Sequence, residues 1–266
     1  MKISCTNTMI PGATLTEKAS RLLDLGFDGI SVFAEIESWT PEKEEELLHL
    51  TETTGITVCE FCFSGKDYGK LMHKDPATAA RSKRIYERAI AIGNQLGSVS
   101  ELEYQYTVRE EIPLLYPYLK MDPTEQARFC GIYASLASQA EGDSCLLLEP
   151  INRYESPYLN TLRDNAEILE QVALPRTGLL FDTFHMALEE TDLCDAFRRY
   201  APLIRHVHLG DHNRLLPGKG NLPWPRFLSV LQETGYQGFV NLECAVLGED
   251  VPAQLANTVR FLRSLS

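Results

Sequence analysis

The sequence predicts an α/β fold, a (β/α)8 TIM barrel, and three observations point there. The chain has 266 residues, 44% of them hydrophobic, a length that suits one α/β barrel of about 250 residues or two small domains. Short apolar runs alternate with amphipathic stretches along the chain without a Pro/Ser-rich linker, so residues 1–266 read as a single barrel domain. A joint also recurs: Gly235-Tyr-Gln-Gly238-Phe repeats the pattern of Gly26-Phe-Asp-Gly29-Ile, each ahead of an apolar run. Repeated helix-to-strand joints are what a closed ring of βα units requires.

In chain order, residues 2–5 form the first strand. Thr14-Leu-Thr-Glu17 is a capping box, and Leu15, Ala19, Leu22 and Leu23 follow on one helical face. Gly26 terminates that helix, and residues 29–33 make the second strand. The third and fourth strands fall at residues 57–63 and 97–102. Ile85, Ala89, Ile92 and Leu96 form the apolar stripe of one helix; Phe129, Ile132, Tyr133, Leu136 and Ala140 form that of the next. Strands five to eight are the runs LLLE, GLLFD, HVH and FVNLE, with helices near residues 161–172, 191–200, 224–234 and 251–262. Eight strands and seven helices are thereby placed, of the eight of each that the closed barrel is expected to have, with residues 64–75, 104–121 and 210–223 as rim loops.

The last four strands carry the chemistry. Their runs end in Glu149, Asp182, His208 and Glu243, each about one βα unit from the next, so all four reach one rim of a parallel sheet. Barrel enzymes keep their active sites at that rim. Any one of these residues alone reads as a loop starter or helix cap; four in register read as ligands of one divalent metal ion. Three carboxylates and an imidazole are a mostly hard donor set, suited to Mn²⁺, Mg²⁺ or Co²⁺ rather than to structural zinc with its thiolates. His206 competes with His208 on the same strand face, and His208 is preferred as nearer the rim.

Composition narrows the partners. Lys+Arg of 25 against Asp+Glu of 37 gives a net charge of −12, which repels a phosphate backbone and points to a small neutral substrate, not nucleic acid. Seven scattered cysteines do not suggest a disulfide framework. Cys59 and Cys62 spell CxxC inside the strand-like run TVCEFCF, without a second CxxC, and read as core thiols. No apolar run is long enough for a membrane span, so the expectation is a cytoplasmic protein with no membrane partner. Pro217-Gly-Lys-Gly220 lacks P-loop spacing and reads as a substrate-covering turn, while Trp39 and Trp224 read as packing.

Glu149-Pro-Ile-Asn-Arg-Tyr-Glu155, Phe181-Asp-Thr-Phe-His185-Met, His206-Val-His208-Leu-Gly, Asn213-Arg214 with Pro217-Gly-Lys-Gly220, and Asn241-Leu-Glu243 together resemble the motifs of the ketose 3-epimerases. That family, which includes the D-tagatose and D-psicose 3-epimerases, lies within the xylose-isomerase-like barrel superfamily. The resemblance implies that Glu149, Asp182, His208 and Glu243 bind Mn²⁺ or a similar ion. It also implies that Glu149 and Glu243 are the acid/base pair that inverts C3 of a free ketose through a cis-enediolate. Glu155, His185 and Arg214 match positions that contact the substrate around O1 and O2. The bland alternatives are that Glu155 pairs with a neighbouring arginine, that His185 orients Asp182 and that Arg214 is a solvated cation. Dimers or tetramers are common in the family, so a homo-oligomer is implied as well.

The N-terminal half departs from the pattern. Ser31 stands where many relatives carry a glutamate, and the strand-four rim Glu101-Leu-Glu-Tyr-Gln-Tyr106 lacks a glycine-containing loop. Glu60, Glu101 and Glu103 add charge there, either as contacts to a hydroxyl-rich substrate or as solvated rim acids. Those loops shape the far end of the sugar. Other readings of the chain are an aldose–ketose isomerase or a dehydratase or lyase on a modified sugar, a metal-dependent endonuclease, and a non-catalytic sugar-binding module.

Overall fold

The structure, a computed structural model, describes residues 1–107, 110–117 and 119–265. Of the expected rim loop at residues 104–121, positions 108, 109 and 118 lie outside the described residues. Eight strands form a closed barrel in sequence order: β1 (Lys2–Thr6), β2 (Gly29–Glu35), β3 (Thr57–Ser64), β4 (Val99–Leu102), β5 (Cys145–Leu148), β6 (Thr177–Asp182), β7 (Ile204–Leu209) and β8 (Phe239–Leu242). Every neighbouring pair is parallel, and β8 closes on β1 through Lys2↔Phe239 to Cys5↔Leu242. The expected (β/α)8 barrel is what the chain forms.

The helices outside the barrel are α1 (Leu15–Asp24), α2 (Pro41–Leu48), α3 (Leu50–Thr54), α4 (Pro76–Leu96), α5 (Pro123–Ala137), α6 (Leu162–Val172), α7 (Thr183–Glu189), α8 (Leu193–Tyr200), α9 (Trp224–Glu233) and α10 (Val251–Ser264). That is ten among the described residues, not the eight expected. The crossover from β2 to β3 is split at His49, and α7 begins directly where β6 ends. Asp182 caps α7, its Oδ1 accepting from the backbone N–H groups of Phe184 (2.7 Å) and His185 (3.2 Å). Strand four starts two residues later than expected because Gly97, at φ +67°, ends α4 in the left-handed conformation.

Period-two alternation divides each strand between two environments. Outward side chains such as Ile30, Phe61, Leu148, Phe181, Val207 and Leu242 are fully buried against the helices. Phe181, Phe197 and Phe227 meet at centroid distances of 5.1 to 5.6 Å, tying β6 to α8 and α9. Inward positions are unusually polar: Ser4, Thr6, Ser31, Glu60, His206 and Asn241 are all buried. Bulky branched residues usually fill this space, so here the apolar contribution to stability comes mainly from the outer layer and the interior is held by hydrogen bonds.

Cys59 and Cys62 are buried and free, as core thiols should be. Trp224 is buried with its indole N–H on Asp211 (2.8 Å), and Trp39 packs on Phe61 and Phe63; both tryptophans are packing residues. Among the described residues no helix is long and apolar enough to cross a membrane.

Candidate active site

Alternation along β5 to β8 builds the candidate site. Leu147 precedes Glu149, Leu180 precedes Asp182, His206 precedes His208 and Asn241 precedes Glu243 on the inward face, so each run delivers its last inward side chain to the same rim. Glu149 extends the ladder just past β5, its N–H donating to Leu102 (3.0 Å), and Glu243 does the same past β8, donating to Leu209 (3.1 Å). One ligand atom from each of Glu149, Asp182, His208 and Glu243 lies within 4.8 Å of all the others. From His208 Nδ1 the distances are 3.0 Å to Glu243 Oε2, 3.8 Å to Glu149 Oε1 and 3.9 Å to Asp182 Oδ2.

Two atoms of this cluster, Glu149 Oε1 and His208 Nδ1, are buried without a hydrogen-bond partner. Buried polar atoms are rarely left so, and an orphaned carboxylate oxygen beside an orphaned imidazole nitrogen is what a divalent cation would satisfy. The donor set therefore fits a metal, and the cluster is a candidate metal centre.

Electrostatics divides the acids. Burial and the nearby Glu101 push the Glu149 carboxyl well above the usual carboxylate range. Burial acts on Asp182 in the same sense, but Arg214, His185 and His208 overcome it and hold the group well below its ordinary value. Arg214 supplies the strongest positive charge, donating to Asp182 Oδ2 (2.5 Å) and Glu243 Oε2 (2.7 Å), with its guanidinium 4.8 Å from the Phe184 ring. It reaches them from a left-handed backbone position, φ +59°. The loop behind it is gathered by the buried Asp211, which accepts from the N–H groups of His212, Gly218 and Leu222 and from Trp224.

A family model described as xylose isomerase-like TIM barrel matches residues 19–265. The chain belongs to that family. A D-psicose 3-epimerase of Enterocloster bolteae is 36% identical over 141 residues, 50% of this chain and 47% of the relative, so the chain spans about half its length in that match. A 3-dehydro-D-guloside 4-epimerase of Escherichia coli is 25% identical over 99% of this chain and 100% of its own. A solved 3-keto-D-glucoside 4-epimerase from E. coli superposes with a TM-score of 0.86 at 23% identity, covering 99% of both chains, which bears on the fold. The resemblance to the ketose 3-epimerases carried by the motifs is borne out by such relatives. The relatives are epimerases, and this xylose isomerase-like barrel is an enzyme of their class, an isomerase.

Within the barrel the remaining motif residues take distinct places. His185 is buried, with Nδ1 taken by Asn152 Nδ2 (2.8 Å) and Nε2 turned to Glu149 Oε1 at 4.0 Å. Glu155 is exposed and accepts from the same Asn152 (2.6 Å). Arg153 gives its guanidinium to Glu189 (2.7 Å). Asn152 thus links Glu155 to His185, a role the sequence reading missed although it lies inside the quoted motif.

The N-terminal acids correct an expectation. Glu60, Glu101 and Glu103 are not solvated rim residues: they are 0%, 4% and 1% exposed. Tyr68 O–H reaches both Glu101 Oε1 (3.1 Å) and Glu103 Oε2 (3.0 Å), and Tyr86 donates to Glu103 Oε1 (2.8 Å). Burial pushes the Glu103 carboxyl up to about 7 despite those donors. Glu60 lies beneath the candidate metal centre beside His206 and His208. One signal was available: a lone glutamate inside the apolar run TVCEFCF, flanked by Cys59 and Phe61, has the barrel interior as its polar destination.

Proposed function

We propose that the protein is a metal-dependent ketose 3-epimerase, with Glu149, Asp182, His208 and Glu243 holding one divalent cation, Mn²⁺ in preference to Co²⁺ or Mg²⁺. The observation that carries this reading is the convergence of three carboxylates and one imidazole with two orphaned atoms, at the rim where barrel enzymes work. A cation there would place positive charge beside the ketose carbonyl, raising the acidity of the C3 proton and stabilising the charge left when it departs.

Glu149 and Glu243 then divide the proton transfers. One carboxylate takes the C3 proton, and the C–H electron pair moves into the C2–C3 bond while O2 becomes negative. The other, as its acid, delivers a proton to the opposite face of C3, and the electrons return to restore the carbonyl. The roles reverse for the back reaction, and solvent resets the pair between turnovers. His185 and Arg214, which stand beside Glu149 and Glu243 respectively, would hold O1 and O2, with Glu155 steering from the loop.

A second reading keeps the chemistry and moves the carbonyl. The 4-epimerase relative aligned over 99% of the chain favours a 3-keto glycoside inverted at C4, again by exchange of a proton next to a carbonyl. Incubating the Mn²⁺-loaded protein with a panel of ketoses and 3-keto glycosides, followed by NMR of the products, separates the two. A C3 epimer of a free ketose is the expected product. An aldose, a dehydrated sugar or only a C4 epimer would reject the ketose 3-epimerase assignment.

A further inference from the structure

We propose that Glu60 is a positioning residue for the metal centre: it anchors Nε2–H of His208 and so leaves the Nδ1 lone pair free for the cation. This rests on the metal site proposed above and extends it to a residue on the opposite wall of the barrel.

Glu60 sits within β3, in register with Ser31 on β2 and Val99 on β4, and is fully buried. Burying a carboxylate is strongly unfavourable unless it is paired and hydrogen-bonded, so its partners reveal its use. Both of its oxygens face His208 Nε2, at 3.0 Å from Oε2 and 3.2 Å from Oε1. Ser31 O–H donates to Oε2, and His206 Nε2 stands 3.5 Å from that oxygen. Glu60 is therefore fixed from its neighbouring strand and points at the imidazole from below.

The two ring nitrogens of His208 consequently face opposite groups. Nδ1 looks up at Glu149, Asp182 and Glu243, while Nε2 looks down at Glu60. A neutral imidazole carries one N–H and one lone pair, and only the lone pair binds a cation. Three carboxylates on the Nδ1 side attract a proton there, which would block ligation. Glu60 offers the competing acceptor at Nε2, so the proton resides below and the lone pair above. Carboxylate partners of metal-binding histidines act in this way, fixing the ring and raising its basicity.

The competing use of the same atoms is a second cation bound by Glu60, His206 and His208, which also form a three-donor cluster. It would strip the proton from Nε2 and require His208 to bridge two ions as an imidazolate. The donor geometry at 3.0 Å needs no such step.

The test compares the full-length protein with Glu60→Ala and Glu60→Gln, each shown by circular dichroism to be folded. Calorimetric titration of the chelator-stripped proteins with Mn²⁺ should give one ion per chain for the wild type and an affinity about 10- to 100-fold lower for Glu60→Ala. Glu60→Gln, whose carbonyl can still accept from Nε2–H, should fall by a smaller factor. In ¹⁵N-histidine NMR of the metal-free protein, the slowly exchanging His208 Nε2–H signal should be present in the wild type, retained in Glu60→Gln and lost in Glu60→Ala. Unchanged affinity with the signal retained in Glu60→Ala would overturn the proposal. So would two ions bound by the wild type and one by Glu60→Ala, which would make Glu60 a ligand. No Mn²⁺ binding by the wild type, with the signal behaving as expected, would refute the metal site while upholding the anchoring of His208 by Glu60.

Discussion

The two halves of the barrel wall both present buried acids to the interior, yet they treat them differently. On β5 to β8 the acids stand at the strand ends, share Arg214 and His208, and leave Glu149 Oε1 without a partner. On β3 and just past β4 the acids are answered locally: Glu60 by Ser31 and His208, Glu103 by Tyr68 and Tyr86. Glu101 lies between the two regimes, with Oε1 on Tyr68 and Oε2 unpartnered. An acid whose oxygens are satisfied within the chain positions its neighbours; one with an oxygen left over is equipped to exchange ligands and protons. Strand position alone does not tell these apart.

Metal removal should separate the halves most sharply. Stripping divalent cations with a chelator should abolish turnover, and Mn²⁺ should restore it. Because binding at 100-fold excess over Kd adds about 2.7 kcal/mol, a melting temperature raised by several degrees on Mn²⁺ addition is the accompanying sign. Activity that survives complete metal removal would dissolve the distinction.

Next in size, Glu243→Gln and Glu149→Gln should each lower epimerisation by on the order of 10²–10⁴-fold or more with the fold intact, read from product formation by NMR. Arg214→Met should act more weakly, raising KM by about 10- to 100-fold through loss of charged hydrogen bonds. A KM equal to that of the wild type would leave Arg214 as a purely structural bridge between Asp182 and Glu243.

The N-terminal half should answer in stability. Glu103 is a carboxyl raised from 4.5 to about 7 by burial, so its neutral form is the one the fold prefers. Its contribution is fully present below pH 4.5 and is lost as pH rises through about 7, amounting to about 3 kcal/mol. Denaturant unfolding of wild type and Glu103→Gln between pH 4.5 and 8 should show this slope in the wild type and a flatter one in the variant, with kcat changed far less than in the Glu243 variant. Equal slopes would remove Glu103 as the source.

Much of the barrel was legible because the signals are local. Apolar runs closed by a polar residue mark β5 to β8, and Thr14 caps α1, accepting from Glu17 N–H at 3.1 Å, while the Glu17 carboxylate accepts from Ala13 N–H (2.8 Å) instead of closing a full capping box on Thr14. The preference for His208 over His206 rests on its place along one strand, and it is His208 that lies within 4.8 Å of Glu149, Asp182 and Glu243. What stayed hidden depends on neighbours distant in sequence. The facing of Glu60 is set by the register of β3 against β2, which slips between Ile30 and Ser31. Arg214 bridging Asp182 and Glu243 depends on a left-handed residue in an irregular loop organised by Asp211. Helix α7 is short and is capped by the last residue of β6, so its pattern merges with that of the strand.

The most direct test of two glutamates on opposite sides of one carbon is hydrogen exchange at C3 in D₂O, using Mn²⁺-loaded Glu149→Gln and Glu243→Gln with each of the two epimers. Each variant keeps one working carboxylate, so each should wash deuterium into C3 of one epimer without inversion, and the two variants should label opposite epimers. Labelling of the same epimer by both, or of neither in samples shown to contain metal, would contradict the assignment.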